Sequence, residues 1–163
     1  MGVSKIKDVL KAKDSVLVFD IDGVLAVCEF GEYTHFVLTD EEWDALYNSG
    51  KSLYSKDKVS PKMQEFLKGR DMSRMYVITS SGSKGEGEAK KDFANKYYNI
   101  PAENVYYVDR NRNKLDILKS IKAKYPELED YKLVMIDDTC SVLNEIMYNS
   151  KFSTAHISTF LDI

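Results

Sequence analysis

Two aspartates one residue apart, Asp20 and Asp22, are the residues whose types and spacing most directly indicate chemistry. They follow an apolar run, residues 16–19, and precede Gly23, which permits a sharp turn. Two carboxylates held this close repel each other unless a cation or a shared proton relieves them. The alternative is a strand end followed by an Asx-type turn, which any single Asp-Gly pair can form.

Three further groups of polar residues occupy comparable places in the sequence, after apolar runs or at the start of a helical pattern. These groups are Thr79 with Ser80, Lys114, and Asp137 with Asp138. Together with the first pair they would form a cluster of carboxylates, a hydroxyl and an ammonium. Mg²⁺ characteristically takes one or two carboxylates together with waters and a substrate phosphate. The composition of the cluster therefore predicts a Mg²⁺ site that handles phosphate.

The first element that must position these groups is the run 16–19, whose lack of period-two alternation predicts a strand buried on both faces. Further strands are predicted at residues 75–78, 105–108, 133–136 and 155–157, and helical patterns separate them. This alternation predicts an α/β fold, a three-layer Rossmann-like parallel sheet flanked by helices. Open sheets of this kind place their ligands at the carboxyl ends of the strands, where the polar groups lie.

The chain of 163 residues suits one domain, 1–163, with a small insertion at residues 24–58. The insertion is expected to form a hairpin with Gly31 at its turn and then a helix that Thr39 or Asp40 caps. Phe30, Tyr33 and Phe36 of the hairpin would line the rim of the site. So would Trp43 of the helix. Tyr47 and Tyr54 could also touch the substrate, although packing in the core is an equal alternative.

The segment after the second strand contains glycines at 82, 85 and 87, and we expect a flexible loop there, with Ser81 and the glycines as a weaker candidate for a phosphate cradle. A helix should follow the loop and carry Phe93 on its buried side. The lysines of this segment are expected to form a solvated helix face. They are Lys84, Lys90, Lys91 and Lys96.

The composition is that of a soluble globular protein, with 44% hydrophobic and 30% charged residues. No apolar run approaches the ~20 residues that span a membrane, and the N-terminal residues lack the apolar core of a signal peptide. Cys28 and Cys140 are expected to be free thiols, so a cytoplasmic location is predicted. The net charge of −3 does not indicate a protein that coats nucleic acid, although a local basic groove remains compatible with it.

In their order, these segments resemble the four motifs of the haloacid dehalogenase-like phosphohydrolase superfamily. Asp20-x-Asp22-Gly-Val looks like motif one, residues 77–79 like motif two, Lys114 like motif three, and residues 136–138 like the paired-aspartate form of motif four. Val24 stands where many members have Thr, and the insertion is shorter than a full cap domain. The resemblance covers residues 15–158, most of the chain.

The resemblance implies a Mg²⁺-dependent phosphatase in which Asp20 attacks phosphorus and forms an aspartyl-phosphate. Asp22 would protonate the leaving group and later deprotonate the attacking water. Thr79, Ser80 and Lys114 would hold the phosphate. The ligands of Mg²⁺ would be Asp20, the backbone carbonyl of Asp22 and Asp137, and Asp138 would hold the ion directly or through a water. The substrate would be a phosphorylated small molecule or the phosphorylated end of a larger one, including a nucleotide or nucleic acid.

Several alternatives remain open at this stage. Arg110 or Arg112 could replace Lys114 as the third-motif cation, and Asp138 could merely cap the last helix. A response-regulator receiver, phosphorylated on Asp, also uses acids with Thr and Lys, but there the acid pair follows the first strand and the phosphorylated Asp the third. A catalytically silent relative that only binds its ligand is a third class.

Overall fold

The computed structural model of the protein describes residues 3–27, 38–50, 53–110 and 112–163. Within these residues the strands are β1 Val16–Phe19, β2 Met75–Ser81, β3 Val105–Asp109, β4 Leu133–Asp137 and β5 Ser153–His156. The α-helices are α1 Val3–Lys11, α2 Asp40–Asn48, α3 Pro61–Leu67, α4 Lys84–Tyr98, α5 Leu115–Ala123 and α6 Cys140–Asn149. None of these helices combines the length and apolar character needed to cross a membrane.

The strands form one parallel sheet in the order β3-β2-β1-β4-β5. The chain moves outward from β1 through β2 to β3 and then returns to the other side of β1 to form β4. Phe19 is therefore in register with Val77 on one side and Ile136 on the other. The reversal beside β1 creates the crevice in which such sheets bind ligands, at the carboxyl ends of the strands.

Two apolar layers cover the sheet because alternate strand residues point to opposite faces. On one face Leu17 and Phe19 belong to a core cluster that includes residues of α1, α3 and α4. On the other face Val16 and Val18 belong to a cluster with residues of α5 and α6. The predicted α/β Rossmann-like sheet flanked by helices is thus confirmed.

The insertion is described only in part. Its helix is present as α2, and Thr39 rather than Asp40 is the N-cap, in a capping box with Glu42. The predicted hairpin, with Gly31, Phe30, Tyr33 and Phe36, lies outside the described residues, as does Cys28. No residue of α2 is buried.

The prediction of a loop through Gly85 and Gly87 is wrong, because both lie inside α4. The helix begins at Lys84 since the Ser83 hydroxyl accepts a hydrogen bond from the Glu86 amide and caps it. A Cβ atom at Gly87 would lie 2.4 Å from the Tyr107 ring. Gly87 therefore has a packing role, which is to let α4 approach β3 closely.

Other element boundaries shift by a few residues. β2 continues to Ser81 instead of ending at residue 78, so Thr79 and Ser80 belong to the strand itself. β5 covers Ser153–His156 rather than residues 155–157. These shifts leave the order of the elements unchanged.

Candidate active site

Three carboxylates meet at the carboxyl edge of the sheet, those of Asp20, Asp137 and Asp138. One oxygen from each lies within 4.8 Å of the others. They meet because β1 and β4 are neighbours: the Asp20 amide donates a hydrogen bond of 2.9 Å to the Ile136 carbonyl at the end of β4. This geometry agrees with the prediction from sequence that Asp20, Asp137 and Asp138 lie close together.

Lys114 lies among these acids and is 5% exposed. Its Nζ atom is 2.8 Å from Asp137 Oδ2 and 3.2 Å from Asp20 Oδ2. Burial lowers the pKa of Lys114, but attraction to Asp20 and Asp137 outweighs that effect and raises it. Lys114 is therefore an ammonium. We call Lys114, Asp20, Asp137 and Asp138 the Lys114 cluster.

The two arginines that could have replaced Lys114 lie elsewhere. Arg110 Nη2 is 2.7 Å from Asp44 Oδ1 of α2, so it ties the insertion helix to the end of β3. Arg112 is exposed and pairs loosely with Asp109, at 3.8 Å. Among the described residues, Lys114 is the cation that the structure places on Asp20 and Asp137.

Each carboxylate of the Lys114 cluster is held differently. Burial and the Asp20 charge raise the pKa of Asp137 to about 6, against the opposing effect of Lys114. Asp138 is exposed, and partial desolvation together with the Asp20 charge raises its pKa as well. Asp20 Oδ1 accepts a hydrogen bond of 2.8 Å from the Ile21 amide, which fixes its orientation. The repulsion among the three carboxylates is thus only partly offset by the single ammonium of Lys114.

Asp138 does not cap the last helix. The N-cap of α6 is Thr139, whose side chain makes no capping bond, and the Thr139 amide donates to Asp137 Oδ1 at 2.9 Å. Asp138 Oδ2 instead lies against Gly23, where a Cβ atom would be only 2.3 Å away. Gly23 also has a φ of +76°, which other residues rarely adopt. Gly23 therefore makes room for Asp138 beside Asp20.

Asp22, the second acid of the first pair, makes its ion pair and its side-chain hydrogen bond with residues outside the Lys114 cluster. Its Oδ2 is 2.7 Å from Lys90 Nζ, and its Oδ1 accepts a hydrogen bond of 3.1 Å from the Tyr54 hydroxyl. Burial raises the pKa of Asp22, Lys90 lowers it, and the Asp20 charge raises it again, with a net increase. The expected metal contact of Asp22 concerned its backbone carbonyl and stays a prediction.

Lys90 contradicts the prediction of a solvated lysine, because it is only 2% exposed. Its ammonium pairs with Asp22, pairs with Glu86 at 2.9 Å and donates to the Ser80 carbonyl. Burial lowers its pKa, but Asp22 and Glu86 raise it further, so it stays charged. We call Lys90, Asp22, Glu86 and the nearby Arg110 the Lys90 cluster.

Glu86 is the other functional candidate that the sequence prediction missed. It is buried, and it accepts hydrogen bonds from Trp43 Nε1 at 2.9 Å and from the Gly82 amide at 2.8 Å. A signal was present in the sequence. Glu86, Lys90, Phe93 and Ala94 recur at helical spacing, and this places both charges on the apolar stripe of α4. The expected loop across the glycines concealed this stripe.

Thr79 and Ser80, the predicted phosphate-binding residues, lie on β2 next to β1. Thr79 is fully buried, and its Oγ1 has no hydrogen-bond partner among the described residues. A buried hydroxyl of this kind normally has a partner, so the atom is suited to a ligand or a water. Ser80 is half-buried and gives its carbonyl to Lys90. Their contact with phosphate stays a prediction.

The donor set of the Lys114 cluster is compatible with Mg²⁺. Its three carboxylate oxygens are the hard ligands that Mg²⁺ accepts, and the exposure of Asp138 leaves room for water and a phosphate oxygen. With three acids and one ammonium, the cluster also keeps an excess of negative charge. Its residues therefore fit a divalent cation.

Comparison with known proteins gives a fold but no family. No protein-family model matches this sequence, and no curated protein matches it. Among solved structures, DsGPDH of Dunaliella salina is similar, with a TM-score of 0.59 and 14% sequence identity. The match covers 94% of this chain and 25% of that one, so this chain spans about a quarter of its length. Such a likeness supports the Rossmann-like α/β fold alone.

Proposed function

We propose that this protein is a Mg²⁺-dependent phosphatase that resembles the haloacid dehalogenase-like superfamily and hydrolyses phosphomonoesters through an aspartyl-phosphate. The observation that carries the proposal is the placement of Asp20. Its carboxylate lies between a buried ammonium, Lys114, and two further acids at the carboxyl edge of the sheet. In this proposal the nucleophile for phosphate and the site for a divalent cation would be adjacent.

In the first step an Asp20 carboxylate oxygen attacks phosphorus, and the bond from phosphorus to the leaving oxygen breaks. Asp22 gives its proton to that oxygen, so the product leaves as an alcohol. Burial shifts the pKa of Asp22 upward, which is the direction that a general acid requires. Lys114 orients Asp20 and offsets charge on the transferring group.

In the second step a water attacks the phosphorus of the aspartyl-phosphate, and the bond between phosphorus and Asp20 breaks. Asp22 takes the proton of that water, so both acids return to their starting state. Thr79 Oγ1 and the Ser80 amide would donate to phosphate oxygens during both steps. Mg²⁺ held by Asp20, Asp137 and Asp138 would supply Lewis-acid stabilisation of the phosphoryl charge when bound.

The substrate is either a small phosphomonoester or the protruding phosphate of a larger molecule. The insertion comprises only residues 24–58, and its described helix α2 has nine residues with none buried. A lid that encloses a small substrate needs more covering surface than an insertion of this length supplies. Turnover of a panel of sugar phosphates, nucleotides and 5′- and 3′-phosphorylated oligonucleotides would separate these classes.

The function is tested by turnover of 4-nitrophenyl phosphate with the purified protein and Mg²⁺. We expect steady release of phosphate that EDTA abolishes and Mg²⁺ restores, with Ca²⁺ a poor substitute because its looser coordination misplaces the phosphate. Absence of turnover with every divalent cation would contradict the proposal. If instead a small phosphodonor leaves a stable phosphate on Asp20, a phospho-acceptor module is the better description.

A further inference from the structure

The described residues contain a second buried lysine, and the proposed reaction as written above gives it no role. Lys90 lies in the middle of α4, and its ammonium reaches Asp22, which follows β1. An ammonium has three N–H donors and no acceptor. The three are used on Asp22 Oδ2, Glu86 Oε1 and the Ser80 carbonyl. Lys90 is therefore held in position, and its ammonium in turn orients the carboxylates that accept its hydrogen bonds.

The consequence for Asp22 follows from the donor character of Lys90. An oxygen that accepts from an ammonium at 2.7 Å cannot carry a proton toward that ammonium. Because a protonated carboxyl oxygen is a weaker acceptor than its carbonyl partner, the ammonium at Oδ2 favours a proton on Oδ1, the oxygen that faces the Tyr54 hydroxyl at 3.1 Å. A protonated Oδ1 keeps acceptor capacity, so the Tyr54 hydroxyl can continue to donate to it while the Oδ1 proton stays available for transfer. The contacts with Lys90 and Tyr54 therefore orient the Asp22 carboxyl group and favour Oδ1 as the atom that carries the proton.

Glu86 keeps Lys90 in this position and connects it to the insertion. It is buried and pairs with Lys90 at 2.9 Å, one helical turn away on α4. Its second set of contacts comes from Trp43 Nε1 of α2 at 2.9 Å and from Arg110, whose guanidinium lies 3.7 Å away. The Lys90 cluster thus joins the proposed acid to the helix that borders the site.

We propose that Lys90 is a positioning residue for Asp22: held by Glu86, it orients the Asp22 carboxyl so that Oδ1 transfers the proton to the leaving group. This inference rests on the proposed phosphatase function, in which Asp22 is the general acid. It assigns Lys90 no contact with phosphate. Lys90 acts only through Asp22, in contrast to Lys114, which lies on the proposed nucleophile.

The test compares two esters of similar shape, 4-nitrophenyl phosphate and phenyl phosphate. The nitrophenolate leaves without a proton, whereas phenolate is a much stronger base and needs one. Lys90→Met should lower kcat/KM for phenyl phosphate by about 10- to 100-fold, within the range that general acid catalysis supplies. For 4-nitrophenyl phosphate the loss should stay within about threefold. Lys96→Met, an exposed lysine on the same helix, is the matched control and should change neither value.

A double-mutant cycle identifies the route of the effect. Asp22→Asn should show the same preference for the better leaving group, and adding Lys90→Met to it should cause no further selective loss, because Lys90 acts through Asp22. Equal losses for both esters in Lys90→Met would overturn the inference, since a phosphate-binding lysine behaves in this way. So would an undiminished Lys90→Met effect in the Asp22→Asn background.

Removal of Lys90 takes the nearest cation from Asp22 and from the buried Glu86, so stability is controlled separately. Thermal unfolding is measured for each variant, and Glu86→Gln provides a second, isosteric test that keeps Lys90. Glu86→Gln should shift the ratio of the two kcat/KM values in the same direction by a smaller factor. Where Lys90→Met does not fold, an unshifted ratio in Glu86→Gln overturns the inference. If the wild-type protein hydrolyses neither ester, the proposed function itself has failed.

Discussion

The Lys114 cluster and the Lys90 cluster are built alike and differ in charge balance. In each, a buried lysine lies between two carboxylates, Asp20 and Asp137 in one and Asp22 and Glu86 in the other. The first has a third acid, the exposed Asp138, whereas the second has a second cation, Arg110, near Glu86. One cluster therefore has more acids than cations and lies beside solvent, whereas the other has two acids and two cations.

On the proposed mechanism, this difference gives the Lys114 cluster a role in metal binding and the Lys90 cluster a role in positioning Asp22. Burial and the Asp20 charge raise the pKa of Asp137 to about 6, and a bound divalent cation would offset the excess negative charge of this cluster. A balanced cluster gains nothing from a cation, and its cost of burial is offset by full hydrogen bonding. We therefore expect substitutions in the first cluster to change metal binding and chemistry together. Substitutions in the second should leave metal binding alone.

The largest effect is expected from Asp20→Asn, because an amide cannot act as the nucleophile. Turnover of 4-nitrophenyl phosphate should fall by about 10³-fold or more, on the order of 4 kcal/mol of barrier. Steady-state kinetics measure the loss, and Asp116→Asn, an exposed acid of α5, is the control. Activity within ~10-fold of the wild type, in a variant with native circular dichroism, would contradict the assignment of Asp20.

The next largest effect is expected on Mg²⁺ affinity, and it should differ between Asp137, the last residue of β4, and Asp138, which follows it. Asp137→Asn should weaken Mg²⁺ binding by about 10- to 100-fold, and Asp138→Asn should weaken it less. Asp137 is fully buried, so no water can replace its oxygen, whereas water can replace that of the exposed Asp138. Titration calorimetry gives both affinities. Equal affinity for Mg²⁺ in the wild type and Asp137→Asn would exclude the motif-four assignment.

A stability comparison tests whether the Lys90 cluster depends on the close approach of α4 to the sheet. Gly87→Ala should destabilise the protein by about 1–3 kcal/mol, because the new Cβ atom would lie 2.4 Å from the Tyr107 ring. Gly85→Ala is the matched control, since its nearest neighbour would be the Tyr47 hydroxyl at 3.7 Å. It should stabilise the helix by up to about 1 kcal/mol. Urea unfolding measures both, and similar values for the two would refute the packing argument.

The smallest effect compares the two lysines directly. Lys114→Met removes a positive charge from the three acids, so Mg²⁺ affinity should rise by several-fold, on the order of threefold to tenfold. Lys90→Met should leave Mg²⁺ affinity unchanged, because its partners Asp22 and Glu86 lie outside the group of three acids. Calorimetry in the same buffer measures both variants. A change of similar size in Lys90→Met would mean that the two clusters are one electrostatic unit.

The strands were predictable because their information is local. The unbroken apolar runs that end at Phe19 and Ile136 are found as β1 and β4, with the acids directly after them. Boundaries were less accurate. β2 extends over Thr79 to Ser81, since polar residues continue a strand when its neighbour β3 supplies hydrogen bonds. The local sequence of β2 carries no information about which strand will lie beside it.

By itself the sequence determined that the acids stand at strand ends and that helices alternate with strands, since both are properties of short segments. Only the tertiary structure decided that β4 lies beside β1, which brings Asp137 to Asp20. It also decided that Lys114 rather than Arg110 pairs with them, and that Lys90 is buried. The physical reason is that burial and ion pairing depend on distance through space between segments far apart in the chain. A lysine on a helix has the same local sequence whether its ammonium meets water or a carboxylate.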